Sequence, residues 1–125
     1  MAEAMRIAVV QLCVDDRLDH ASIRDQVRKK VRSIYLDAER IFLVNEVGGN
    51  FGENFRNSVA ALRELGAEVV FCAILHHDDC LAESIGRRLP LEQSLADLAA
   101  FLSASNLTCP VYAGSIKTST GVVSW

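Results

Sequence analysis

No apolar run in this chain is longer than a strand, so the sequence predicts no membrane span. A basic excess is missing too. Thirteen Lys and Arg stand against sixteen Asp and Glu, a net charge of −3, which argues against a general nucleic-acid binder. The opening residues, Met1-Ala2-Glu3-Ala4-Met5-Arg6, lack a positively charged start followed by a long apolar stretch, so no signal peptide is expected and the cytoplasm is the expected compartment. There is no internal repeat, low-complexity tract or linker. Aromatics are scarce at 6%, yet 50% of the residues are hydrophobic and 23% charged, which excludes a disordered chain and predicts one globular domain over residues 1–125. Four cysteines, at 13, 72, 80 and 109, without a secretory leader are expected to be reduced thiols or metal ligands rather than a disulfide framework.

What is present alternates between strand and helix patterns. Ile7 to Leu12 reads as a buried parallel strand, and Arg40 to Val44 as a second. Between them, Asp19 to Arg32 carries Ile23, Val27 and Val31 at spacings of four, one apolar stripe on a basic helix. Asn45 to Gly52 reads as a loop. Phe55 to Leu65 returns to helical period through Phe55, Val59, Leu62 and Leu65, and Gly66 stops the helix. Glu68 to Leu75 is the clearest strand. Pro90 to Leu102 is a further helix with Leu91, Leu95, Leu98 and Leu102 on one face. Val111 to Ala113 and Val122 to Trp125 read as two short terminal strands joined through Thr120-Gly121. The pattern predicts an α/β fold, a mostly parallel sheet flanked by helices, whose ligands bind beyond the carboxyl ends of the strands.

Two polar clusters stand at such ends. Cys13, Asp15 and Arg17 alternate, so an extended segment would lean all three to one side. His77 and Cys80 are three apart and share a face if Asp78 opens a helical turn; His76, four from Cys80, fits on spacing as well. Two sulfurs and one imidazole make a set that zinc binds tetrahedrally, leaving a fourth position for water or a carboxylate. Asp78 and Asp79 are expected at a helix N-terminus, favoured by its dipole. Cys72 and Cys109 are expected to be packed, inert thiols, and His20 to face solvent. Arg24, Arg28, Lys29, Lys30 and Arg32 are expected to form a solvated face or an intersubunit contact. Gly48, Gly49 and Gly52 form no GxGxxG and no Lys-Ser or Lys-Thr follows, so no nucleotide cradle is expected.

The chain resembles the β-class carbonic anhydrases, whose signature is CxDxR followed after several dozen residues by HxxC. Cys13-Val14-Asp15-Asp16-Arg17 matches the first element and His77-Asp78-Asp79-Cys80 the second. Leu36-Asp37-Ala38 and the strand to Val44 look like the family's Gly-Asp-Ala strand, Asn45 to Asn50 like its Asn-Ala-Gly loop, and Ser58 to Leu75 like its lead-in to the second element. The resemblance selects His77 over His76. It implies Zn2+ held by Cys13, His77 and Cys80, with Asp15 and Arg17 as the catalytic carboxylate and guanidinium pair. It implies reversible hydration of carbon dioxide to bicarbonate by a zinc-bound hydroxide; Asp15 freed from Arg17 would close the metal site. Hydrolysis of carbonyl sulfide or carbon disulfide on the same site is the near alternative, and a zinc-stabilised non-enzyme the distant one. The size of the chain and the resemblance together imply a homodimer or a higher even oligomer. The sequence departs from the family at Leu81, where a Gly is usual after the cysteine, at Val44 in place of an Arg, at Glu46-Val47 in place of one Ala, and at Asp16 in place of a common Ser.

Overall fold

Strand β1, Arg6–Cys13, is buried along nearly its whole length, as the centre of a parallel sheet must be. Its side chains alternate: Ala8, Val10 and Leu12 join one core layer, Ile7 and Val9 the other. The structure is a computed structural model that describes residues 4–15, 17–34 and 37–125. Asp16 and Leu36, which entered the family comparison, lie outside the described residues.

β1 pairs in parallel with β2, Arg40–Glu46, on one side and with β3, Glu68–His77, on the other. β3 pairs in parallel with β4, Val111–Ile116, and β4 pairs antiparallel with β5, Val123–Ser124. The order is β2-β1-β3-β4-β5, a mostly parallel sheet with short terminal strands, as the alternation of patterns predicts. One irregularity resets β3. Ile7 lies opposite Val69 but Ala8 opposite Phe71, so Val70 is an extra residue. Val70 and Phe71 therefore both face the first layer, and Cys72 returns to the second.

Helix α1, His20–Ser33, covers the first layer with Ile23, Val27 and Val31. Its start is fixed by Asp19, whose carboxylate accepts the Ala21 and Ser22 amides. Helices α2, Glu53–Glu64, and α4, Leu91–Ala104, cover the second layer with Phe55, Val59, Leu62, Leu98 and Leu102. At the end of α2, Ala67 donates to the Leu62 carbonyl and Gly66 to that of Arg63, each at 3.0 Å, with Gly66 in the left-handed region. That closure turns Leu65 outward, so it is exposed rather than part of the expected apolar stripe. Leu91 and Leu95 are half-buried and pack on the edge of the layer. No helix among the described residues is long and apolar enough to cross a membrane.

The chain leaves β1 through α1 to β2 on one side, then crosses through α2 to β3 on the other. The strand order thus reverses between β1 and β3, which opens a crevice beyond their carboxyl ends. Cys13 ends one strand and His77 the other.

Candidate metal centre

Three elements bring the ligand set together. Cys13 is the last residue of β1 and His77 the last of β3; Cys80 caps the four-residue helix α3, Leu81–Ser84. All three are buried, and their donor atoms lie within 4.8 Å of one another. The Cys13 and Cys80 sulfurs are 3.9 Å apart. Two Zn–S bonds of about 2.3 Å at a tetrahedral angle put the sulfurs about 3.8 Å apart, so the spacing of this sulfur pair suits zinc.

The imidazole is set up to accept a metal. Thr118 donates its hydroxyl to the Asp78 carbonyl at 2.7 Å and lies 3.1 Å from His77 Nδ1. Its one proton spent, Thr118 Oγ1 accepts from Nδ1–H, and the lone pair is left on Nε2. Nε2 is buried and has no hydrogen-bond partner among the described residues. It is the atom that a bound cation would satisfy.

Asp15 stands beside it, its Oδ2 3.9 Å from His77 Nε2. Arg17 lies in a turn rather than on an extended segment with Cys13 and Asp15, and Leu18 N–H donates to the Asp15 carbonyl at 3.3 Å. The turn lets Arg17 fold back. Its amide and Nε donate to Asp15 Oδ1 at 2.9 and 3.0 Å, and Nη2 donates to Oδ2 at 2.6 Å. These bonds hold the Asp15 carboxyl down at about 2. Nη2 also donates to the Asp79 carbonyl at 2.8 Å.

Cys13 is raised by burial, an effect opposed by the backbone amides of Gly48 and Asp15 directed at its sulfur. Gly48 belongs to a 3-10 turn, Val47–Gly49, and takes φ 74° with Arg88 Cα 3.2 Å from where a Cβ would stand. Only glycine places that amide so close to the crevice without strain.

The acids after His77 do not open a helical turn. His77 is still in β3, Asp79 adopts φ 53°, and α3 starts only after Cys80. Asp78 is held not by a helix dipole but by the β4–β5 turn, its Oδ1 accepting the Thr118 amide at 2.7 Å, which lowers its carboxyl pKa. His20 does not simply face solvent: half-buried, its Nε2 lies 3.4 Å from Asn45 Nδ2. On the basic helix Arg28 donates to the Ala38 carbonyl and Lys30 lies over the Tyr112 ring, while Arg24, Lys29 and Arg32 are exposed.

No protein-family profile matches the sequence, and no curated protein does. Solved structures do match. A carbonic anhydrase from Streptococcus mutans aligns over 98% of this chain and 82% of its own, with 16% identity and a TM-score of 0.57. A carbonic anhydrase from Glaciozyma antarctica aligns over 97% of this chain and 82% of its own, with 18% identity and a TM-score of 0.51. The fold is that of the β-carbonic anhydrases.

Within this β-carbonic anhydrase fold, the departures at Val44, Val47 and Leu81 differ in effect. Val44 is buried in the second layer beside Phe51 and Phe55, where it serves packing. Leu81 is exposed and, with Val14, Val47, Ala82 and Ile85, lines a cleft of about 540 Å³ that Cys13, Asp15 and Arg17 line as well. Two supports of the site escaped the sequence reading. Thr118 lies two residues past the end of β4, and Arg88, in the segment after α3, donates to the His77 carbonyl at 2.9 Å and pairs with Glu83 at 2.8 Å. No local spacing ties either to His77; the β3–β4 register brings Thr118 there, and the return of the chain after α3 brings Arg88.

Proposed function

We propose that this protein is a zinc enzyme that hydrates carbon dioxide reversibly to bicarbonate, with Cys13, His77 and Cys80 holding the metal. The observation that carries this reading is the buried His77 Nε2, without a hydrogen-bond partner among the described residues, which meets two buried thiols beside a carboxylate already bound by an arginine. Sulfur and imidazole donors suit zinc and suit magnesium or calcium poorly. Bound there, zinc supplies the Lewis acidity that makes water a nucleophile near neutral pH.

The chain's own residues do the rest. Asp15, kept ionised by Arg17, accepts a hydrogen bond from the attacking water and turns its lone pair toward the substrate carbon. Arg17, tied to both Asp15 oxygens and to the Asp79 carbonyl, keeps that carboxylate from swinging into the metal's fourth position. The apolar wall of Val14, Val47, Leu81, Ala82 and Ile85 sets a small neutral molecule against them.

The same wall favours a second reading, hydrolysis of carbonyl sulfide or carbon disulfide, which are less polar than bicarbonate. Stopped-flow assays of zinc-loaded protein between pH 6.5 and 9 separate the two. Carbon dioxide hydration that rises with pH supports the first. Activity on the sulfur substrates alone supports the second, and none on any of them leaves a zinc-stabilised non-enzyme. Exposed Val47, Leu81 and Ile85 around the cleft, and the open edge of β2, support a homodimer or higher even oligomer; light scattering that shows only monomer at micromolar concentration would overturn this.

A further inference from the structure

The second pair of cysteines lies apart from the metal centre and makes a site of its own. Cys72 is fully buried in the middle of β3, and Cys109 stands just ahead of β4. The extra residue at Val70 puts Cys72 on the α2/α4 face of the sheet. Cys72 N–H donates to the Pro110 carbonyl at 3.0 Å, which draws the segment before β4 alongside β3. The sulfurs meet as a result: Cys109 Sγ donates to Cys72 Sγ at 3.7 Å.

We propose that Cys72 and Cys109 form a reversible disulfide, a redox site on this chain that exchanges with small-molecule disulfides. A disulfide needs its sulfurs at about 2.05 Å. The 3.7 Å contact between the two sulfurs is the starting point from which the bond would close.

The two cysteines have different exposures and therefore different parts. Cys109 is half-buried and lines an open groove with Leu102, Asn106, Leu107 and Val111. Cys72 is closed off from solvent. Once Cys109 ionises, the Cys72 S–H turns to donate to it, and this hydrogen bond lowers the Cys109 thiol; the pairing and then burial raise that of Cys72. Cys109 is thus the attacking group. Its thiolate displaces one sulfur of the external disulfide, giving a mixed disulfide and one thiolate, which takes up the proton that Cys109 released. Cys72 then gives up its proton and attacks the Cys109 sulfur, and the second external thiol leaves carrying that proton. Two protein thiols are oxidised by two electrons, and one external disulfide is reduced to two thiols.

The bond would brace β3 against the start of β4, the two strands that lead to His77 and to Thr118. It closes a loop between positions 37 residues apart, so the oxidised protein should melt several degrees higher.

The test treats zinc-loaded protein with glutathione disulfide and reads the intact mass and the peptide map. The wild type is expected to lose two hydrogens, to carry a peptide joining Cys72 to Cys109, and to return to the starting mass with dithiothreitol. Cys72→Ser is expected to stop at one glutathione on Cys109, and Cys109→Ser to take up none at either position. If a variant fails to fold, the wild-type peptide map decides alone. Wild-type Cys72 and Cys109 both alkylated as free thiols after treatment, or either of them joined to Cys13 or Cys80, would overturn the proposal.

Discussion

Thr118 decides which nitrogen of His77 is free. Because its hydroxyl proton is committed to the Asp78 carbonyl, the oxygen can only accept from Nδ1–H, and Nε2 keeps its lone pair. Orienting partners of this kind change metal affinity by roughly tenfold or more when removed. Thr118→Val keeps the shape and removes the acceptor, so zinc affinity read by chelator competition should fall by about that factor, and Thr118→Ser should restore it. Equal affinity in all three proteins would remove Thr118 from the account. Arg17 acts on Asp15 in a comparable way. Lowered to about 2, Asp15 adds stability that is present above its ordinary 3.8 and lost as pH falls through about 2. In metal-free Arg17→Ala the Asp15 midpoint, followed by carboxyl NMR, should rise toward 3.8; a midpoint left near 2 would show that the arginine is not its cause.

At the scale of elements, local chemistry sets the ends that the sequence showed. Asp19 stops the chain entering α1 too early, and its two bonds to Ala21 and Ser22 satisfy amides that the helix leaves open. Asp19→Ala should cost about 1 kcal/mol in a denaturant titration, and a loss too small to measure would contradict its capping role. Helix positions were legible because each buries one periodic face, Ile23, Val27 and Val31 or Phe55, Val59 and Leu62, and β1 and β3 were legible as short apolar runs buried on both faces. The extra residue in β3 was not legible, since Val69, Val70 and Phe71 are all apolar and no break in pattern marks it. Neither was the turn after His77, where Asp79 takes a left-handed conformation that its spacing does not reveal.

For the whole molecule, the site follows from strand order. Cys13 and His77 are far apart in the chain, yet β1 and β3 are neighbours, and the reversal of order between them leaves both strand ends at one crevice. Those residues were legible because each closes an apolar strand. Thr118 and Arg88 were not, because they reach His77 from 41 and 11 residues away through the register of β4 and the return after α3. The contact of Cys72 with Cys109 was hidden for the same reason: only the β3–β4 pairing joins them.

The central claim is that Cys13, His77 and Cys80 together hold zinc, and metal analysis of protein purified without added metal tests it most directly. About one zinc per chain is expected in the wild type and a large loss in Cys80→Ser, with a lower melting temperature on chelation because the metal joins two strand ends and α3. Less than about half an equivalent of zinc in the wild type, unchanged by Cys80→Ser, would contradict it.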